Sequence, residues 1–238
     1  MRDFFKRVED GSEMIVETDS SAYGYSQRYD WLLSVFIKFD MASESGEGFE
    51  EYLELKESLI IALEHDEKAK YVGGRSVDGW SELYFYAAES KGLVAQVDAI
   101  LKDSGYKYES SVVRDAKWDF HYKNLTPNEL EFAHMQSEKI IYLLEEEGDV
   151  LEMPRIVEHY VSFDTPTQKE RFLDALMQES FQFKDEISSE EFENGIALTK
   201  EHAVTEEVLK AVVEELFVMI KSQNGYYEGW STTLVKED

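Results

Sequence analysis

Two stretches of this 238-residue chain spell the same order of elements: strand, helix, strand, strand, helix, strand. In the first, "WLLSVFIKFD" from Trp31 is apolar and rich in aromatic and β-branched residues, as a buried strand requires. Phe49, Tyr52, Leu53, Leu59, Ile60 and Leu63 then fall on one helical face. "KYVGGRSV" and "WSELYFYAA" flank Asp78-Gly79, a pair that tolerates positive φ and predicts a hairpin. Val94, Val97, Ile100 and Leu101 mark a second helix that Gly105 ends, and "YKYESSVVRD" and "KWDFHYKN" read as extended. Ahead of all this, "EMIVETDSSAYGY" reads as one short strand and a loop.

The second stretch is punctuated more clearly. "RIVEHYVSF" is a strand. Thr165, Pro166 and Gln168 form a capping signal before a helix with Phe172, Leu173, Leu176 and Met177 inward. "SFQFKDEI" and "FENGIALTKE" are strands around an acidic turn. Thr205 opens a long helix that buries Val208, Leu209, Val212, Val213, Leu216, Met219 and Ile220, and Asn224-Gly225 closes it. "YYEGWSTTLV" is the last strand. Between the two stretches, Thr126, Pro127 and Glu129 start another helix that Gly148-Asp149 stops.

This order is the split βαβ, or ferredoxin-like, unit. The expected fold is α+β: two ferredoxin-like (βαββαβ) domains, at residues 1–125 and 153–238, joined by a helix and linker at 126–152. In such a unit the last strand pairs inside the sheet, so Trp230 does not sit on a fraying tail. The pairs Gly79-Trp80 and Gly229-Trp230 are not equivalent, because Trp80 begins a third strand and Trp230 lies in a fourth.

Composition narrows the function. A net charge of -27 repels phosphate backbones and anionic membranes, so neither nucleic acid nor membrane is expected as a direct partner. It suits solubility, and a protein partner with a basic surface. With no cysteine, disulfides, thiol catalysis and zinc-thiolate sites are excluded. No apolar run approaches the roughly 18 residues of a membrane span, and the first residues lack a secretory apolar core, so a cytoplasmic setting is expected.

No constellation for catalysis stands out. His65, His121, His134, His159 and His202 form no pair at metal-ligand spacing, and His134 with Glu138 is a surface contact rather than a metal site. His159 shares a strand face with Val157, Val161 and Phe163, where its ring must find a partner; a satisfied core histidine explains this better than a general base. "YVGGRSVDG" lacks the lysine of a phosphate loop and opens no helix. The reading is a non-enzyme without cofactor or metal. Acidic residues cluster at Glu145, Glu146, Glu147 and Asp149, and at Asp185, Glu186, Glu190, Glu191 and Glu193. A solvated loop explains each cluster, and a docking surface is the sharper alternative.

The second half resembles a known family. "VEH" in its first strand, the phenylalanines of "ESFQF" and the terminal "YYEGW" are similar to the regulator of ribonuclease activity B domain, an inhibitor of ribonuclease E. "YVGGRSVDGWSELYFY" and "RDAKWDFHYKNLTP" resemble an uncharacterised domain family that often precedes it, and "EEEGDVLEMPR" resembles the seam of that tandem. The resemblance implies a ferredoxin-like fold, no catalytic residues, and regulation of RNA turnover through protein contact with a basic ribonuclease region. Glu186, Glu190, Glu191, Glu193 and Trp230 are candidate partner-binding residues. His159, Gly229, Trp230, Gly79, Trp80 and Trp118 belong to the family pattern with a structural role expected, and burial of Trp230 decides between its two readings.

Two alternatives stay open. One is an enzyme or small-ligand binder with a site in the interdomain cleft, built from Trp80, Tyr84, Tyr86, Trp118 and Tyr122 with His121 or Arg75; a closed aromatic core counts against it. The other is an oligomerising module that pairs the uncovered sheet faces.

Overall fold

The computed structural model describes residues 2–9, 11–39, 48–176, 181–188 and 194–236. The chain divides into two compact units, Met1–Pro127 and Asn128–Asp238.

The first unit runs β1 (Arg2–Glu9), β2 (Ser12–Asp19), β3 (Trp31–Ile37), α1 (Phe49–Glu64), β4 (Ala69–Val77), β5 (Trp80–Ala87), α2 (Leu93–Leu101) and β6 (Tyr108–Arg114). Its six-stranded sheet has the order β1-β2-β4-β5-β3-β6, with antiparallel neighbours throughout. The last four strands of that order are the expected ferredoxin-like arrangement. Asp78 and Gly79 turn between β4 and β5 at φ 51° and 72°, as a two-residue hairpin of this twist needs.

The hairpin β1–β2 was not expected as a pair. Five of the eight residues of "RDFFKRVE" are charged, and Phe5 is its one buried side chain among the described residues, so β1 carries little apolar signal of its own. β2 joins β4 closely enough that a Cβ on Gly73, at φ 146°, would lie 2.3 Å from the Glu17 carbonyl oxygen.

The stretch "KWDFHYKN" is a correction. It is helical, closing with a wide turn over His121–Leu125. The Asp115 carboxylate accepts the amides of Asp119 (3.0 Å) and Phe120 (2.9 Å), which starts that turn locally. Arg7 finishes it by donating to the carbonyl oxygens of Lys123, Asn124 and Thr126. Leu33, Val35, Leu83 and Phe85 face α1 and α2. Tyr84 and Tyr86 alternate to the other side, where Phe120 and Trp118 lie on them with ring centroids 4.5 and 4.0 Å away. This sheet is therefore covered on both faces.

The second unit runs α3 (Glu129–Glu146), β7 (Arg155–Phe163), α4 (Pro166–Leu176), β8 (Gln182–Ile187), β9 (Asn194–His202), α5 (Glu206–Ser222) and β10 (Tyr226–Thr232). The sheet order β10-β7-β9-β8, all antiparallel, is that of a ferredoxin-like unit. Thr165 and Gln168 exchange capping bonds as expected, and Thr205 is the N-cap residue of α5, without a side-chain bond. Before α3 the cap differs from expectation. Asn128 and Glu131 form the capping box, while the Thr126 hydroxyl turns back to His121 and Tyr23.

The helix expected to connect the halves packs into the second unit, against α5 and β10. Its Ala133 and Ile141 join Val157, Leu209, Val213 and Trp230 in one core cluster. The Asp149 carboxylate then accepts from Arg155 (2.6 Å) and from the Val235 amide (2.8 Å), and so ties the segment after β10 to the start of β7.

Candidate functional site

Alternation along β7 gives the second sheet two different faces. His159, Val157, Val161 and Phe163 point toward the helices and are buried. Trp230 pairs with His159 across β10 and β7 and is 5% exposed. Its Nε1 donates to Ser137 Oγ of α3 at 3.0 Å. Burial removes Trp230 from the candidate partner-binding residues: the indole is core and faces no solvent a partner would displace.

His159 sits in a chain of bonds whose direction chemistry fixes. His202 Nδ1 lies 2.7 Å from the Ala203 carbonyl, which only accepts, so Nδ1 carries the proton and Nε2 a lone pair. His159 Nε2, 3.2 Å away, must then donate to it. That leaves His159 Nδ1 as acceptor for the Tyr227 hydroxyl at 3.0 Å. The relay is neutral throughout. Burial, then His202 and Lys200, push the His159 pKa down to about 3. Burial pushes His202 down as well, with Lys200 adding to it against the Ala203 bond. Both lone pairs are engaged, so neither imidazole is placed to take a proton from a substrate.

Gly229 follows a bulge in β10 and has φ 122°, while its absent Cβ would meet nothing within 4 Å. Gly229→Ala should therefore strain the backbone without a clash and destabilise by about 1–2 kcal/mol. Urea unfolding followed by circular dichroism measures this, and no loss would mean that alanine adopts the bulge unstrained.

The opposite face carries Ile156, Glu158, Tyr160 and Ser162 of β7, Ala197, Thr199 and Glu201 of β9, Asp185 of β8, and Ser231 of β10. Glu228, at the bulge, reaches Ser162 on the same face. The Tyr160 hydroxyl bonds Ser231 Oγ at 2.7 Å, and Lys184 pairs with Glu158. Ile156, Asp185, Glu201, Tyr226, Glu228 and Ser231 are exposed. The helices lie on the other side, so none covers this face. Glu186 is exposed but belongs to the helix side, where it pairs with Lys169 of α4 at 3.0 Å. Glu190, Glu191 and Glu193 lie outside the described residues. The alternation of "RIVEHYVSF" already separates Glu158 and Tyr160 from His159. What the chain order does not reveal is which residues of β8, β9 and β10 stand beside them.

In the first unit three of the five aromatics weighed for a ligand site, Tyr84, Tyr86 and Trp118, are packed in the interior, while Tyr122 is exposed. Trp118, Tyr84, Tyr86 and His121 are buried, and Trp118 Nε1 donates to the Tyr29 carbonyl at 2.7 Å. Trp118 holds φ 58°, a conformation rare for a bulky residue, fixed by this burial and bond. The Tyr86 hydroxyl donates to Asp115 at 2.6 Å, and Arg75 bonds Glu82 and the Tyr84 hydroxyl. Burial pushes the His121 pKa down to about 4 against the pull of Asp115. Trp80 lies elsewhere, at the Gly79 turn, flanked by Lys38 and Lys107 at 5.2 and 5.6 Å. A cavity of about 90 Å³ touches Arg75, but Glu17, Lys56, Ser76 and Ser81 share its lining and the stacked aromatics do not.

Among the described residues, no group of three or more acidic, histidine or cysteine side chains is placed to hold a metal, and no helix is long and apolar enough to cross a membrane. The model of the family "Regulator of ribonuclease activity B" matches residues 134–232. The model of a family of unknown function, DUF695, matches residues 3–126, more than half of the chain. No curated protein matches. Among solved structures, the chain is 10% identical to an unknown protein from Galdieria sulphuraria, over 87% of this chain and 98% of that one, with a TM-score of 0.21. It is 11% identical to a protein described as a glycine cleavage system transcriptional repressor, over 87% and 98% of the two chains, with a TM-score of 0.23. At these scores neither likeness bears on the fold. The two family matches fall one on each compact unit, give or take the start of α3, and the chain belongs to the DUF695 family, followed in tandem by a regulator of ribonuclease activity B domain.

Proposed function

We propose that this chain is a non-catalytic regulator of a ribonuclease of the E type, acting through protein contact made by its second unit. The observation that carries the reading is the regulator match at 134–232, which spans the whole ferredoxin-like βαββαβ unit and most of α3. A charge of -27 favours a partner with a basic surface over RNA itself. The engaged lone pairs of His159 and His202 suit a scaffold rather than a general base. The absence of cysteine agrees with a cytoplasmic setting.

The test is cleavage of a labelled RNA by purified ribonuclease E with and without the chain. Saturating chain should change the cleavage rate several-fold, and raising salt from about 50 to about 300 mM should weaken the effect by screening. The chain alone should leave the RNA intact. An unchanged rate with active enzyme, or RNA cleaved by the chain alone, would sink the reading.

A further inference from the structure

We propose that the helix-free face of the second sheet, centred on Tyr160, is the surface that receives the partner, and that its occupant is an extended arginine-rich segment. The inference rests on the protein-contact reading above and adds the place and the chemistry of the contact.

A ferredoxin-like sheet buries one face under its helices. The other face must be polar, covered, or reserved for a partner. Here it is uncovered and uneven in charge. Glu158, Asp185, Glu201 and Glu228 stand on it, and Lys184, already paired with Glu158, is the basic residue beside them. Glu201 has no partner among the described residues, and Glu228 uses one oxygen on Ser162. The face is also level at its middle. Tyr160 is flanked by Gly229 on one neighbouring strand and by Ala197 on the other, so its ring stands beside residues that do not rise above it. Tyr226 is exposed near one end.

This combination selects its occupant. A guanidinium is planar, stacks on a tyrosine ring and forks onto a carboxylate, whereas an ammonium offers only a point charge. Glu201, Glu158 and Asp185 fall on three successive rows of the face, beside Ile156, Thr199 and Ala197. Rows lie about 7 Å apart along the strands, which is the repeat of same-side residues in an extended segment. A second copy of this chain is a poor occupant, because the same carboxylates would face each other.

The test uses the full chain and a ten-residue arginine peptide, with affinity read by calorimetry. Glu201→Lys with Glu228→Lys changes the face. Glu145→Lys with Glu146→Lys makes the same charge change at the exposed end of α3. Thermal unfolding checks that both variants fold. The face pair should weaken binding about tenfold or more, since bonds to charged groups are lost. The α3 pair should weaken it less than about twofold, as screened distant charges do. Tyr160→Ala should weaken it about threefold, through the lost stacking.

Equal losses from both pairs would mean diffuse attraction and overturn the proposal. So would absence of binding by the unaltered chain, or a dimer in sedimentation that the face pair abolishes. The ribonuclease assay separates the two readings. If the unaltered chain leaves cleavage unchanged, the regulator reading fails. If it changes cleavage and the face pair does so equally, only this surface fails.

Discussion

Trp230→Ala should destabilise the second unit by about 3–5 kcal/mol, the range for removing a large buried aromatic. The indole fills a cluster made by α3, α5 and β7, with Ala133, Ile141, Val157, Leu209 and Val213 around it. Alanine would leave a cavity that three separate elements must collapse to close. It would also remove the bond from Nε1 to Ser137 Oγ. Because domains of this size are stable by only about 5–15 kcal/mol, the unit should unfold at much lower urea concentration. Trp230→Phe keeps most of the ring and loses the N–H bond, so it should cost about 1–2 kcal/mol. Far-UV circular dichroism in urea reports both variants without relying on tryptophan emission. An alanine variant within about 1 kcal/mol of the parent would show that the indole does not hold α3 to the sheet.

The second large effect is acid sensitivity through His159. Its folded pKa is about 3, because burial, His202 and Lys200 all oppose a charge there. The unfolded ring titrates near 6.5. Above about pH 6.5 neither state binds the proton, and the stability held by the neutral relay is fully present. As pH falls below that value the unfolded chain takes up a proton that the folded chain refuses. Stability should then fall by about 1.4 kcal/mol per pH unit, reaching about 5 kcal/mol near pH 3. Carboxylates contribute to any acid profile, so the measurement is a difference. His159→Gln keeps an amide for Tyr227 and His202 but does not titrate. Plotted against pH, the stabilities of parent and variant should run parallel above about 6.5 and converge or cross below it. Parallel curves down to pH 4 would mean that the folded relay accepts the proton after all. The groups facing His159 here are His202, Lys200 and Tyr227.

These two residues also show what a sequence can and cannot carry. Alternation in "RIVEHYVSF" places His159 inward, because a strand repeats every two residues whatever surrounds it. Its partners Tyr227 and His202 lie 68 and 43 residues away, and no local rule joins them. Trp230 lies in a paired strand for the same local reasons. Its burial depends on α3, a helix the sequence presents as a connector because it lies between the two repeated stretches and its start is well capped. Only the packing of α3 on α5 and β10 turns that connector into the cover of a core.

Short-range chemistry accounts for the rest of what could be read. Asp78-Gly79 turns at positive φ because its own residues allow it, and Thr165 caps with Gln168 because they are three apart. The strand order of both ferredoxin-like arrangements follows from element order, since short connections leave few topologies. Where the structure departs from that pattern, a nearby side-chain cap or distant atoms decided. "KWDFHYKN" has the aromatic content of a strand, yet Asp115 starts a helical turn and Tyr84 and Tyr86 receive its rings. β1 has too few apolar residues to announce itself and exists because β2 offers it a ladder. The sequence by itself determined the α+β class, the tandem and the inward or outward sense of most strand residues, because these depend on periodicity and neighbours along the chain. Only the tertiary structure decided which residues share the open face around Tyr160, because that face is assembled from four strands whose register is set by pairing across space.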